Sequence, residues 1–160
     1  GAGSHITDIS GSTIEYDPEL LPIKNIPILK LAKEDEQSPQ TVTQAITKKL
    51  DWYRAEDELQ LVAVAFDGKR SPSFQEVNEL ADALMVGMKP LLDMGMPLIT
   101  ITENDMAKVL GQTIRAKMPN NNNFICIDAI RVDNGDYIDI GAPAVGGNVL
   151  PVVIKTLLFK

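Results

Sequence analysis

The chain has 160 residues, 15 Lys and Arg against 22 Asp and Glu, and a net charge of −7, with 44% hydrophobic and 23% charged residues. That is the composition of an ordinary globular protein, long enough for one domain with a sizeable core and marginal for two. The negative balance argues against nucleic acid or an anionic membrane as partner, and no apolar run approaches the roughly 20 residues a spanning helix needs. A lone Cys126 excludes an internal disulfide and fits a reducing cytoplasm. One Cys and one His argue against a zinc site. The chain opens on Gly1, with no signal-peptide pattern, and is expected to be a piece of a longer protein.

Residues 1–37 carry Gly, Ser and Pro with scattered isoleucines, and Pro18, Pro22 and Pro27 recur too often for a helix. They are expected to run as extended segments over another surface, with the charged stretch Lys33 to Gln37 facing solvent. Ser38-Pro39 opens a helix whose inner face is Val42, Ala45, Ile46, Leu50 and Tyr53. Leu59 to Phe66 is an apolar run of strand length, and Asp67 to Pro72 a turn. Ser73 with Glu76 forms a capping box for a helix through Val77, Leu80, Ala81, Leu84 and Met88, which Gly87 and Pro90 kink or end.

Pro97 to Thr102 is the next strand, and Asn104 is expected to cap a helix with Met106, Val109, Leu110 and Ile114 inward. Phe124 to Val132 reads as a strand, turned at Asp133-Asn134-Gly135-Asp136 into Tyr137 to Ile140 as a hairpin, with a last apolar run from Val149 to Phe159. The expected fold is α/β. It has two or three layers, a mixed sheet of about four to five strands with three helices, and an extended Pro-rich segment in front.

Several residues could carry chemistry. Asp139-Ile140-Gly141 with Gly146-Gly147 resembles the start of a phosphate loop, though Pro143 removes one N–H donor and a tight turn explains the glycines equally. Asp67, Lys69, Arg70 and Ser71 lie where a strand ends and a helix begins, the usual ligand edge of an open α/β sheet, so an anion could bind between Asp67 and Ser73. His5 and Cys126 could pair as base and nucleophile only if the fold brought them together. Asp133, Asp136 and Asp139 lack the spacing of a calcium loop. Met85, Met88, Met94 and Met96 read as core filling, with some exposed where that helix ends. No constellation amounts to a catalytic site, and no metal site is expected.

Two segments carry a family resemblance. One runs Gly1-Ala2-Gly3-Ser4-His5, Ser10-Gly11-Ser12-Thr13-Ile14 and Leu21-Pro22-Ile23-Lys24-Asn25-Ile26-Pro27. The other runs from Gly135-Asp136-Tyr137-Ile138-Asp139-Ile140-Gly141-Ala142-Pro143 on through Gly146-Gly147-Asn148-Val149-Leu150-Pro151 to Leu157. In order and spacing they resemble the carboxy-terminal third of the EutA family, the ethanolamine ammonia-lyase reactivating factors. The resemblance implies a bacterial cytoplasmic protein, associated with an ethanolamine microcompartment, whose full length is an ATPase of the actin and heat-shock-70 type using ATP and Mg. It would exchange damaged cobalamin in the lyase for adenosylcobalamin, like a chaperone.

The family's phosphate and adenosine loops are absent from these residues, so no cofactor and no ATP hydrolysis are expected of this chain alone. Residues 1–37 would be the tail of a missing amino-terminal ATPase domain and its linker, and 38–160 the carboxy-terminal domain. That domain is expected to dock ethanolamine ammonia-lyase or couple it to the ATPase, through Lys69, Arg70, Gly141, Gly146 and Gly147. The alternative is a small anion- or nucleotide-binding domain using the crevice from Asp67 to Ser73.

Overall fold

The computed structural model describes residues 2–12, 18–118, 123–143 and 149–159. Seven strands form one sheet: β1 (Ala2–Ser12), β2 (Ile23–Lys30), β3 (Ala63–Phe66), β4 (Leu98–Thr102), β5 (Phe124–Ile127), β6 (Asp136–Ile140) and β7 (Val149–Phe159). Their order is β1-β7-β6-β2-β3-β4-β5. The half from β2 to β5 is parallel, and β1, β7 and β6 join it through antiparallel ladders. The helices are α1 (Pro39–Leu50), α2 (Phe74–Gly87), α3 (Lys89–Asp93) and α4 (Ala107–Lys117).

In the parallel half each strand lies beside the next in sequence. Crossovers of one hand therefore put every helix on one face. Val42, Ile46, Val77, Leu84, Leu110 and Ile114 of the helices share a core with Leu29, Val64, Leu98, Phe124 and Cys126 of the strands. The other face buries Ile28, Ala65, Ile101, Ile127, Ile138 and Val152 in a second core that contains no α-helical residue. The sheet curls, and its second face packs against itself.

The α/β class holds, and the strand count exceeds the expected four to five because Ala2–Ser12 and Ile23–Lys30 both join the sheet. Residues 23–30 are extended, as the proline spacing implies. The strand is interior, between β3 and β6, so the sheet crosses the boundary drawn at residue 37. The hairpin expected between Phe124–Val132 and Tyr137–Ile140 does not form. β5 ends at Ile127 on one edge, and the chain crosses back, burying Ile130 and Val132 in the second core, before β6 pairs with β2 and β7. The turn itself is present, with Asp136 N–H donating to the Asp133 carbonyl at 3.1 Å and Gly135 at φ +90°.

Both serine caps are as the sequence implies. Ser38 Oγ accepts from Thr41 N–H, and Ser73 Oγ from Glu76 N–H, each at 3.1 Å. Asn104 is no cap. α4 starts at Ala107, whose N–H donates instead to buried Asp128 Oδ2 at 2.8 Å, an anchor from the end of β5. Gly87 ends α2, and α3 follows with Pro90 in its first turn.

Candidate functional site

The carboxyl ends of β2 and β3 open between the amino termini of α1 and α2 onto a cavity of about 350 Å³. Its apolar walls include Val42, Phe66, Val77, Leu80 and Met106. At the end of β3 the chain turns through Gly68, whose φ of +73° suits glycine; a Cβ there would sit 2.6 Å from Met106 Sδ. Asn104 Nδ2 donates to the carbonyls of Asp67 at 3.0 Å and Gly68 at 3.2 Å, tying this turn to the end of β4.

Glu36 reaches into the crevice from the short 3-10 turn Lys33–Gln37. Its Oε2 accepts from Asp67 N–H at 3.2 Å and its Oε1 from Gly68 N–H at 3.0 Å. Burial pushes the Glu36 carboxyl above its ordinary range, outweighing the two N–H donors. Lys69 pairs with Glu76, and Glu76 also accepts from Ser73 N–H at 3.1 Å. Arg70 is exposed on the same turn. The groups that would receive an anion between Asp67 and Ser73 are thus engaged by the chain's own carboxylates. The two strand-end N–H groups hold Glu36, while the α2 terminus and Lys69 hold Glu76. This arrangement does not favour anion binding there.

Gly141 lies elsewhere. Ile140 pairs with Ile23 at the start of β2, whereas Lys69 and Arg70 follow the end of β3, so the two groups lie at opposite ends of the strands. Gly141 N–H donates to the Pro151 carbonyl at 2.8 Å, and a Cβ on Gly141 would lie 3.3 Å from Pro151 Cγ. The donor is used within the sheet. Asp139 accepts from Asn25 N–H at 2.7 Å and pairs with Lys155 at 2.6 Å, while Lys155 also donates to Asn25 Oδ1 at 3.1 Å. Burial alone would raise the Asp139 carboxyl; Lys155 and the Asn25 N–H outweigh it and hold the group below its ordinary range. Asp139 therefore clasps β2, β6 and β7 together. Gly146 and Gly147 lie outside the described residues.

The other carboxylates of that segment are separately engaged. Asp133 pairs with Lys30 at 3.3 Å. Buried Asp136 accepts from Asp133 N–H at 2.9 Å and from the Thr156 hydroxyl at 2.6 Å. Among the described residues no three His, Cys, Asp or Glu are grouped to hold a metal. Cys126 is fully buried in β5, and burial pushes its thiol up to about 12, far from the nucleophilic range. His5 falls in β1, opposite Thr156. Met88 is core, Met85 and Met96 pack against it, and Met94 is 55% exposed.

Sequence reasoning missed Glu36, which looked like one member of a solvated charge run. Its partners are 31 and 32 positions away, and no local pattern announces them. Among the described residues no helix is long and apolar enough to cross a membrane.

Comparison with known proteins points one way. The family model described as "Ethanolamine utilisation protein EutA" matches residues 1–160. The chain is 34% identical over 159 residues to the "Ethanolamine ammonia-lyase reactivase EutA" of Salmonella typhimurium (strain LT2), and 32% identical over 160 residues to the protein of the same name from Escherichia coli (strain K12). Both alignments cover 99% of this chain and 32% of the relative, so the chain spans about a third of their length. No solved structure matches it.

Proposed function

The chain belongs to the EutA family, and from that premise we propose that it serves the reactivation of ethanolamine ammonia-lyase as a docking or coupling domain, without hydrolysing ATP itself. The observation that carries the reading is the match along the whole chain to proteins named as reactivases of that lyase. Local geometry supports the non-catalytic part. Asp139 and Gly141, which by motif could begin a phosphate loop, are bound within the sheet, and the Asp67–Gly68 N–H pair holds Glu36. ATP with Mg, and the exchange of damaged cobalamin for adenosylcobalamin, would then belong to the longer protein, in a bacterial cytoplasm beside an ethanolamine microcompartment.

Connecting loops carry recognition more often than packed elements. The turn bearing Lys69 and Arg70 is the surface proposed for docking, and Gly141 marks a separate contact at the opposite end of the strands. Calorimetry of this chain with ethanolamine ammonia-lyase, with and without cobalamin, tests the reading. Saturable binding weakened by Arg70→Ala is expected. No binding by the chain, while a full-length relative binds in the same experiment, would remove docking and leave coupling.

A further inference from the structure

On the helix side of the sheet, the helical layer stops at the 3-10 turn Asp51–Tyr53 and leaves a second cavity, of about 570 Å³. Pro27 of β2 and Tyr137, directly opposite on β6, both line it. Tyr53 lines another side, with its hydroxyl donating to the Ile28 carbonyl at 2.5 Å, which fixes the ring. Trp52 stands at the rim, 63% exposed, with Lys49 Nζ 6.0 Å from its ring centroid. Three of the chain's four Tyr and Trp residues therefore gather at one opening.

The charge here runs against that of the whole molecule. Lys24 and Arg54 both line the cavity. Arg54 is held in place through Nε to Asp51 at 3.1 Å and through one terminal nitrogen to the Asp57 carbonyl at 2.9 Å. A guanidinium has five N–H donors, so this anchoring leaves others for a ligand. The sole carboxylate of the lining is Asp136, whose oxygens already accept from Asp133 N–H and the Thr156 hydroxyl. In a chain of net charge −7, this opening gathers two cations, Lys24 and an Arg54 that is paired with Asp51 yet keeps N–H donors beyond that pair.

The backbone around it is also unusual. Among the described residues four non-glycines have positive φ, and three lie here: Asn25 at 59°, in the lining, and Glu56 at 53° and Asp57 at 65°, in the turn that anchors Arg54. A register shift between Ile23 and Ile26 marks the β2–β6 ladder at the same place. Residues held in left-handed conformation, and bulges, gather where a surface has been shaped for recognition.

We propose that this cavity binds a small aromatic acid, its ring against Trp52 and Tyr137 and its carboxylate facing Arg54 and Lys24. The volume lies in the range of small-molecule sites. Aromatic faces supply contact area without a directional demand, and the two cations select the acid over a neutral ring. The inference stands on the cavity alone, independently of the lyase.

The chain has a single Trp, so its indole N–H gives one resonance that reports on the rim directly. Titration with 2-naphthoate should shift that resonance saturably. The uncharged 2-naphthalenemethanol and the non-planar cyclohexanecarboxylate should each bind about three- to tenfold more weakly. Trp52→Leu and Lys24→Gln, both at exposed positions, should lower 2-naphthoate affinity by a similar factor in calorimetry, with the unfolding midpoint unchanged. Absence of a saturable shift, equal binding of the alcohol, or unaltered affinity in both variants would overturn the proposal.

Discussion

Glu36 and Gly68 meet through a hydrogen bond of 3.0 Å across 32 positions of sequence, and the same carboxylate holds the N–H of Asp67. Glu36→Ala removes the acceptor for two N–H groups and should cost about 1–2 kcal/mol. Glu36→Gln keeps an acceptor oxygen and should cost less. Because the folded carboxyl titrates above its ordinary value, its contribution is fully present below the unfolded pKa and is lost as pH rises through the folded one. Denaturant unfolding across that window should show wild type losing stability relative to the non-titrating Glu36→Gln as pH rises.

Asp139 has the opposite sign. Its carboxyl is held low in the fold by Lys155 and the Asn25 N–H, against the effect of burial. Its contribution is therefore present above the unfolded pKa and lost as pH falls through the folded value. Asp139→Ala should destabilise the chain by about 1–2 kcal/mol near neutrality and by progressively less in acid, measured by urea unfolding.

Two glycines separate backbone strain from crowding. Gly68 and Gly135 both have positive φ, but only at Gly68 would a Cβ meet a neighbour, Met106 Sδ at 2.6 Å. Gly135→Ala should cost about 1 kcal/mol through backbone conformation alone. Gly68→Ala should cost about 1–3 kcal/mol more through overpacking. Thermal unfolding of the two variants side by side checks the order.

Asp128 is buried and accepts from the Ala107 N–H, and burial together with neighbouring Asp105 raises its carboxyl. Asp128→Asn keeps an oxygen for that N–H and removes the buried charge, so it should be as stable as wild type or more stable at neutral pH. Asp128→Ala loses the anchor of α4 and should fall about 1 kcal/mol below wild type. If both variants lost stability equally, the charge rather than the acceptor would be the stabilising element. Chemical denaturation distinguishes these cases.

What the sequence revealed was local. The apolar runs ending at Phe66 and Thr102, and the box of Ser73 with Glu76, lie where their patterns put them, because a period or a cap is written within a few residues. The place of β2 was hidden by Pro27. A proline lacks a ladder donor and argues against an interior strand, yet here it sits opposite Tyr137, next to a register shift that already loosens the β2–β6 ladder. Strand order was hidden as well, since nothing near Asp133–Asp136 says that the next strand will pair with β2 and β7 and not with β5. The same holds for the site. Lys69, Arg70 and Gly141 were visible as turn residues, but their separation to opposite ends of the strands, and the capture of Asp67 and Gly68 by Glu36, depend on contacts far apart in sequence.

The pairing of the first and last strands has a mechanical consequence. β1 and β7 run antiparallel from Ala2 opposite Phe159 to Ser12 opposite Val149. A load applied through residues 2 and 159 pulls across that ladder, opening its pairs one after another like a zipper instead of shearing them together. Once the three pairs before Thr156 have parted, the load also reaches β6, which is bonded to β7 from Thr156 to Val152. The outer pairs of the joint yield first, and β6 braces β7 behind them.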